Sequence, residues 1–246
     1  SERPCYYRGA GRSKGSYIRV GDADLPMTDY ELYSYEAFRR HLHDDERPVE
    51  RAALSMLDED KLEQYILQRR ADRPGFAQLT REQTLEMLNI TRDGEVTLAA
   101  VMNFCLYPQG YFPQLGITAI VDPVTGTRKD RTEYPINAIR EAVLNAVIHR
   151  DYSIYTEGTP VQIDFFADRL EIHSPGSLYG RMTVEQLGVA RPDLRNPALA
   201  VMAEELTGAE NRYSGIPTIR RAMADYGLPE PVFENRRNEF VVILYN

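Results

Sequence analysis

A two-layer α+β fold, with helices backing a mixed sheet, is the class this sequence predicts, and three stretches carry the prediction. In Tyr134–His149 a proline suits the first helical position, where its missing N–H costs nothing. Ile139, Val143, Ala146 and Val147 then recur at helical spacing as a core-facing stripe. Further on, Val161, Ile163 and Phe165 alternate with Gln162, Asp164 and Phe166, and Leu170 and Ile172 alternate with Arg169, Glu171 and His173. Ala167-Asp168 between the two runs reads as a tight turn, so they predict a hairpin. Phe240-Val-Val-Ile-Leu244 is a continuous apolar run, the pattern of a buried strand. Helix, hairpin and strand must each cover an apolar face, and stacking helices on a sheet satisfies all three.

In chain order, the first residues carry Arg3, Arg8, Arg12, Lys14 and Arg19 among glycines. Cys5-Tyr-Tyr-Arg8 and Gly15-Ser-Tyr-Ile-Arg-Val-Gly21 read as two short strands joined by a Gly-rich turn. Basic residues interleaved with tyrosines suit a nucleic-acid contact, and an exposed hairpin with solvated arginines is the simpler reading. Helices are expected over 28–45, through Tyr30, Leu32, Tyr33 and Phe38, and over 52–70, through Leu54, Leu57, Leu62, Ile66 and Leu67. Pro74-Gly75 breaks the chain, and Thr80-Arg-Glu-Gln83 is a capping box that opens a third helix, ended by Asp93-Gly94. Residues 97–106 read as a helix with Leu98, Val101, Met102 and Cys105 inward, followed by an aromatic loop, a strand over 116–121 and a polar excursion over 122–131. Past Gly176, helices are expected over 183–187, 197–206 and 218–226. His41 and His43 stand two apart, wrong for one helical face, and no cysteine joins them, so no metal site is expected there. The boundaries read are 1–30 for an N-terminal remnant, 31–93 for a helical linker region and 94–246 for the α+β module.

Composition narrows the function. Hydrophobic residues make up 43% and charged residues 27%, as in ordinary soluble domains. A net charge of -8 argues against broad adhesion of the whole chain to DNA or to an anionic membrane. No long apolar run or signal peptide is present, and no membrane partner is expected. Cys5 and Cys105 are too few for a disulfide framework and lack metal-ligand spacing, which suits a reducing, cytoplasmic setting. The opening residues do not read as a natural start, so a longer parent protein is expected.

The chemistry concentrates on one helix. Glu141, Asn145 and His149 stand four apart and stack on one face, between Leu144 and Ile148. A carboxylate, an amide and an imidazole among aliphatic neighbours need partners or a polar ligand. Ser174-Pro-Gly176 breaks the second strand beside this helix, which places a site at that turn.

Glu141-Ala-Val-Leu-Asn145-Ala-Val-Ile-His149-Arg-Asp-Tyr152, followed by Asp168-Arg-Leu-Glu-Ile-His-Ser-Pro-Gly176, resembles the GHKL-type (Bergerat-type) ATPase module of bacterial transcriptional regulators. In that family the module sits behind a Schlafen/AlbA-type DNA-binding domain, and the proteins are described as RecG-helicase-like. Arg195-Asn-Pro197 and Arg212-Tyr-Ser-Gly-Ile216 resemble two further elements of the family, in family order, and Tyr17-Ile-Arg-Val-Gly21 resembles the closing hairpin of the AlbA-type domain. The resemblance covers roughly a third of the chain.

The resemblance implies ATP and Mg²⁺ as cofactors, with Glu141 as the catalytic base and Asn145 as the metal ligand. His149, Arg150, Ser174, Gly176, Arg195, Asn196, Ser214 and Gly215 complete the implied binding set, and DNA would be bound through an N-terminal domain absent from this chain. Two departures stand out. Ser174 replaces the usual adenine-reading Asp, with Leu178 near the place of a second glycine, and Tyr213 stands where the lid would have a glycine. The purely structural reading makes Glu141, Asn145 and His149 a satisfied polar seam, with Arg150 or Arg195 pairing Glu141, and leaves His173 inert on an exposed strand face. His149-Arg-Asp151 mimics a kinase catalytic loop, but Thr156 stands where that loop requires Asn, so that reading fails. The expected function is a regulatory module of a transcriptional regulator that binds ATP·Mg. The alternative is a degenerate scaffold for homodimerisation or domain packing, and a third reading is direct nucleic-acid binding by the N-terminal basic residues.

Overall fold

Short-range signals build the N-terminal unit. In the computed structural model, which describes residues 6–121, 133–207 and 215–246, the chain divides into two units, Ser1–His43 and Asp44–Asn246. The first holds α1 (Gly11–Gly15), β1 (Tyr17–Val20), β2 (Ala23–Pro26) and α2 (Asp29–Arg40). Among the described residues, the expected pairing of the first tyrosines with 15–21 is reduced to a bridge between Tyr6 and Ser16, with the Tyr7 N–H donating to the Gly15 carbonyl at 2.9 Å. Instead β1 pairs with β2, Val20 opposite Ala23. Gly21, at φ 59°, supplies the left-handed residue that a two-residue turn demands, and so short a loop outcompetes a distant partner. Thr28 and Glu31 form a reciprocal capping box that starts α2. Of the basic residues, Arg12 pairs with Glu36 and Arg19 with Asp24.

The second unit begins with helices: α3 (Glu59–Asp72), α4 (Arg81–Met87) and α5 (Leu98–Phe104). The helix expected from residue 52 starts at Glu59 because the Asp58 side chain accepts the Lys61 N–H and so caps it there. The capping box of Thr80 and Gln83 forms as read. Asp93-Gly94, read as a helix end, is a hairpin turn between β3 (Thr91–Arg92) and β4 (Glu95–Val96), both turn residues having positive φ. With α7 (Pro197–Thr207) these helices close a first core around Tyr65, Leu98, Phe104, Leu199 and Met202.

The sheet follows. Its strands are β5 (Ile117–Val121), β6 (Val161–Phe165), β7 (Arg169–Pro175), β8 (Val232–Asn235) and β9 (Glu239–Tyr245), in the order β5-β6-β7-β9-β8. β5 runs parallel to β6 and the other pairings are antiparallel, so the sheet is mixed. The expected β6–β7 hairpin forms, with Ile163 opposite Ile172. β8 escaped the sequence reading because four residues with one buried aromatic, Phe233, give too little periodicity.

Two helices, α6 (Ile136–His149) and α8 (Gly215–Asp225), pack on the sheet and close a second core. Ala138, Ala142 and Ala146 take the centre of the α6 face; of the stripe read from sequence, Ala146 is thus central, Ile139 and Val143 are partly buried beside it, and Val147 is not part of this core. Alanines four apart let the helix backbone lie close to the strands, which larger residues would hold off. On its other side α6 offers Leu144 and Ile148 to the first core. The fold is the two-layer α+β class that the sequence predicts. No helix among the described residues is long and apolar enough to cross a membrane.

Candidate functional site

A cleft opens between α6, the end of β7, the loops over 177–195 and the first turn of α8. Its walls are largely aliphatic, with Ala142, Ala146, Ile172, Met182 and Val242 among them, and Asn145, His149, Ser174, Asp193 and Arg195 bring polar groups to it. The α6 residues face it because 142, 145, 146 and 149 share one side of a helix.

At the β7 end the groups are buried and mutually bound. Ser174, 5% exposed, donates its hydroxyl to the Ala146 carbonyl at 2.9 Å. With that proton committed, the oxygen presents only lone pairs to the cleft. Gly176 follows at φ 98°, a conformation that favours glycine, and its N–H donates to the Asn238 carbonyl at 2.8 Å. Arg195 forms a buried ion pair with Asp151, donates to the Ser177 carbonyl at 2.9 Å and lies 4.8 Å above the Tyr179 ring. Asp151 also accepts the Ser153 N–H at 2.8 Å and the Thr156 hydroxyl at 3.0 Å, and its own N–H donates to Pro175. Burial pushes the Tyr179 phenol up to about 12, against the opposing pull of Arg195.

The opposite end is more open. The Asn145 amide donates to the Glu141 carbonyl at 2.9 Å and to its carboxylate at 3.2 Å. Gly215 at the start of α8 sits so close that a Cβ there would lie 2.5 Å from Asn145 Nδ2 and 2.7 Å from Glu141 Oε1. Crowding by protein, and then the charge of Arg195, lower the His149 pKa to about 4. The ring keeps an exposed side toward the cleft, and His149 is neutral at pH 7.

The structure therefore gathers Asn145, His149, Ser174, Arg195 and Gly215 around one cleft, with Glu141 touching it through Asn145 and Gly176 shaping its turn. Arg150 and Asn196 lie elsewhere. Arg150 is 2% exposed and donates to the Thr156 and Thr159 carbonyls, and the Asn196 amide holds the Ile148 and Arg150 carbonyls. Both tie down the turn after α6 and line no part of the cleft. Ser214 falls outside the described residues. Neither arginine pairs Glu141: Arg195 is bound to Asp151 and Arg150 to backbone carbonyls. His173 is not on an open face either, since its ring stands 3.1 Å from Glu239, 3.2 Å from Glu171 and 3.5 Å from Asp164. Asp151 and Tyr179 were missed. For Asp151 the signal was present, because Asp151-Tyr-Ser153 is the spacing of an Asp side chain that accepts the N–H two residues on.

Residues 158–244 match the family model described as "Putative ATP-dependent DNA helicase recG C-terminal". Over these residues, which run from β6 into β9 and do not include α6, the match supports a GHKL-like, ATPase-like character. Among solved structures, the DIP2311 protein from Corynebacterium diphtheriae is similar over 94% of this chain and 45% of its own, at 23% identity and a TM-score of 0.59, a likeness of fold. This chain thus spans less than half the length of that protein. A second similar structure, the cytoplasmic segment of histidine kinase QseC, aligns over 91% of this chain and 97% of its own at 11% identity and a TM-score of 0.32, too low to carry an argument. No curated protein matches the chain.

Near the seam, the oxygen donors are the Glu141 carboxylate and the Asn145 amide oxygen. Among the described residues no group of three or more His, Cys, Asp or Glu is placed to hold a metal by itself. A small number of protein oxygens completed by phosphate and water is the ordinary habit of Mg²⁺, so the donors fit that ion in company with a phosphate ligand.

Proposed function

We propose that the cleft binds an adenine nucleotide with Mg²⁺, and that the module regulates a longer DNA-associated protein. The observation that carries the first part is the hydroxyl of Ser174. Fixed as a donor to Ala146, it accepts a hydrogen bond from a ligand and gives none. An exocyclic amine, as on adenine, suits such an acceptor, and the carbonyl of guanine at the same place does not. Aliphatic walls on both sides suit the faces of a flat ring.

In this reading Asn145 would hold the metal at the phosphate end, and the ion would supply charge neutralisation for phosphoryl oxygens. Glu141 orients a water for attack as general base, and neutral His149 supplies a hydrogen bond at the edge of the cleft. Arg195, bound to Asp151, fixes the β7 turn against the loop carrying Tyr179. The regulatory role and the DNA partner rest on the RecG-like match and the resemblance of the motifs.

The test is a thermal-shift titration with ATP·Mg²⁺, with Asn145→Ala as control. A ligand that binds only the native state at 100-fold over Kd stabilises it by about 2.7 kcal/mol. A shift that Asn145→Ala loses supports the reading. No shift at millimolar ATP, with none for GTP, overturns it in favour of a ligand-free scaffold.

A further inference from the structure

The first turn of α8 is seated at both sides by glycines. Gly215 touches the Glu141–Asn145 pair so closely that any Cβ would collide with the amide and the carboxylate. Across the cleft Gly188, at φ +77°, leaves room for the same turn: a Cβ there would lie 3.1 Å from Pro217 Cδ and 3.3 Å from Ile216 Cγ2. Arg220, one turn along α8, donates to the Leu187 carbonyl at 3.2 Å and fastens the helix to that loop. Gly215 and Ile216 thus form a wall of the cleft. The cavity left is about 140 Å³, well under the roughly 300–1,000 Å³ typical of sites for drug-sized ligands. Meanwhile Asn145 has turned its amide to Glu141, so the two groups expected to meet metal and phosphate are satisfied by each other and covered by Gly215.

We infer that the cleft in this state accepts a purine base or nucleoside, and that a triphosphate with its metal binds only after the first turn of α8 withdraws from Glu141 and Asn145. This rests on the adenine-nucleotide reading above. The seated turn is a competing occupant of the phosphate end, and its equilibrium sets the apparent affinity for the triphosphate while leaving that for the nucleoside alone. Whatever loosens α8 raises triphosphate affinity by the factor through which it enlarges the withdrawn population.

Calorimetric titration of adenosine and, separately, ATP·Mg²⁺ into the wild-type chain and into Arg220→Ala tests this. Arg220 lies outside the cleft lining and is partly exposed. The expected result is that wild type binds ATP·Mg²⁺ no more than about threefold tighter than adenosine. Arg220→Ala should gain about tenfold for ATP·Mg²⁺ while adenosine stays within about twofold. A wild-type preference for ATP·Mg²⁺ above about 100-fold, or a variant with unchanged ATP·Mg²⁺ affinity, overturns the inference. Failure of both ligands to bind either protein overturns the nucleotide reading instead. Hydrogen exchange on the wild type provides a check that needs no variant: the Ile219 and Arg220 amides, whose helical bonds close on the first turn of α8, should lose protection with ATP·Mg²⁺ and keep it with adenosine. Equal protection with both ligands contradicts the seated turn.

Discussion

The two ends of the cleft are built on opposite terms. At the β7 end, Asp151 and Arg195 are 0% and 5% exposed, and each holds further backbone partners that lock loop to strand. At the α6–α8 end, Glu141 and Asn145 are half-buried, bound to each other, and covered by a glycine. Buried charges without alternatives make a rigid wall, since breaking the pair strands a charge in low dielectric. Polar groups near solvent exchange partners at little cost. The contrast suits a site that recognises a ring with fixed geometry and admits phosphates by rearrangement.

The largest expected effect tests the rigid end. Asp151→Ala leaves Arg195 buried and uncompensated and should cost about 3–5 kcal/mol in urea denaturation. A loss under about 1 kcal/mol would make both ends equally adaptable and dissolve the contrast. Next, Ser174→Ala deprives the Ala146 carbonyl of its donor and should cost about 1–3 kcal/mol. Its sharper signature is a narrowed preference for ATP over GTP, and an unchanged preference would remove Ser174 from base reading.

Acid then probes the middle of the cleft. Folding lowers the His149 pKa from 6.5 to about 4, so the unfolded chain holds its proton more readily than the folded one. The stability from keeping the ring neutral is present above pH 6.5 and is lost as pH falls from there toward about 4. Melting temperature should therefore drop between pH 7 and pH 5, and by less in His149→Gln. Identical drops would mean that the exposed side of the ring dominates. The smallest effect belongs to the open end: Asn145→Ala should change stability by no more than about 1 kcal/mol, because its hydrogen bonds to Glu141 are local and partly solvated. A larger loss would show the seam to be structural.

Much of this was legible in the sequence, and the exceptions have physical causes. Period 2 in 161–173 and the apolar run at 240–244 specified the sheet, because burial on one or both faces writes itself into residue order. Capping boxes at Thr80 and, unread, at Thr28 placed helix starts to the residue. The spacing of Asn145 and His149 brought both to the cleft, since a helix turns position into direction. Arg150 and Asn196 went astray because residues just outside a helix have no periodicity to aim them: Arg150 turns to the Thr156 and Thr159 carbonyls of the following loop, and Asn196 to the Ile148 and Arg150 carbonyls at the α6 end. Gly215 was flagged as a binding residue, but its contact with Glu141 joins residues 74 apart in the chain, a distance no local pattern encodes.

Finally, α6 divides the larger unit while belonging to both of its cores, alanines toward the sheet and Leu144 and Ile148 toward α5 and α7. Neither core can melt without exposing one side of that helix. The sheet and the helical cluster are therefore joined into one cooperative foldon, which should give a single calorimetric transition for Asp44–Asn246. A ligand held in the cleft would slow opening of the helical cluster behind it as much as that of the sheet beneath it.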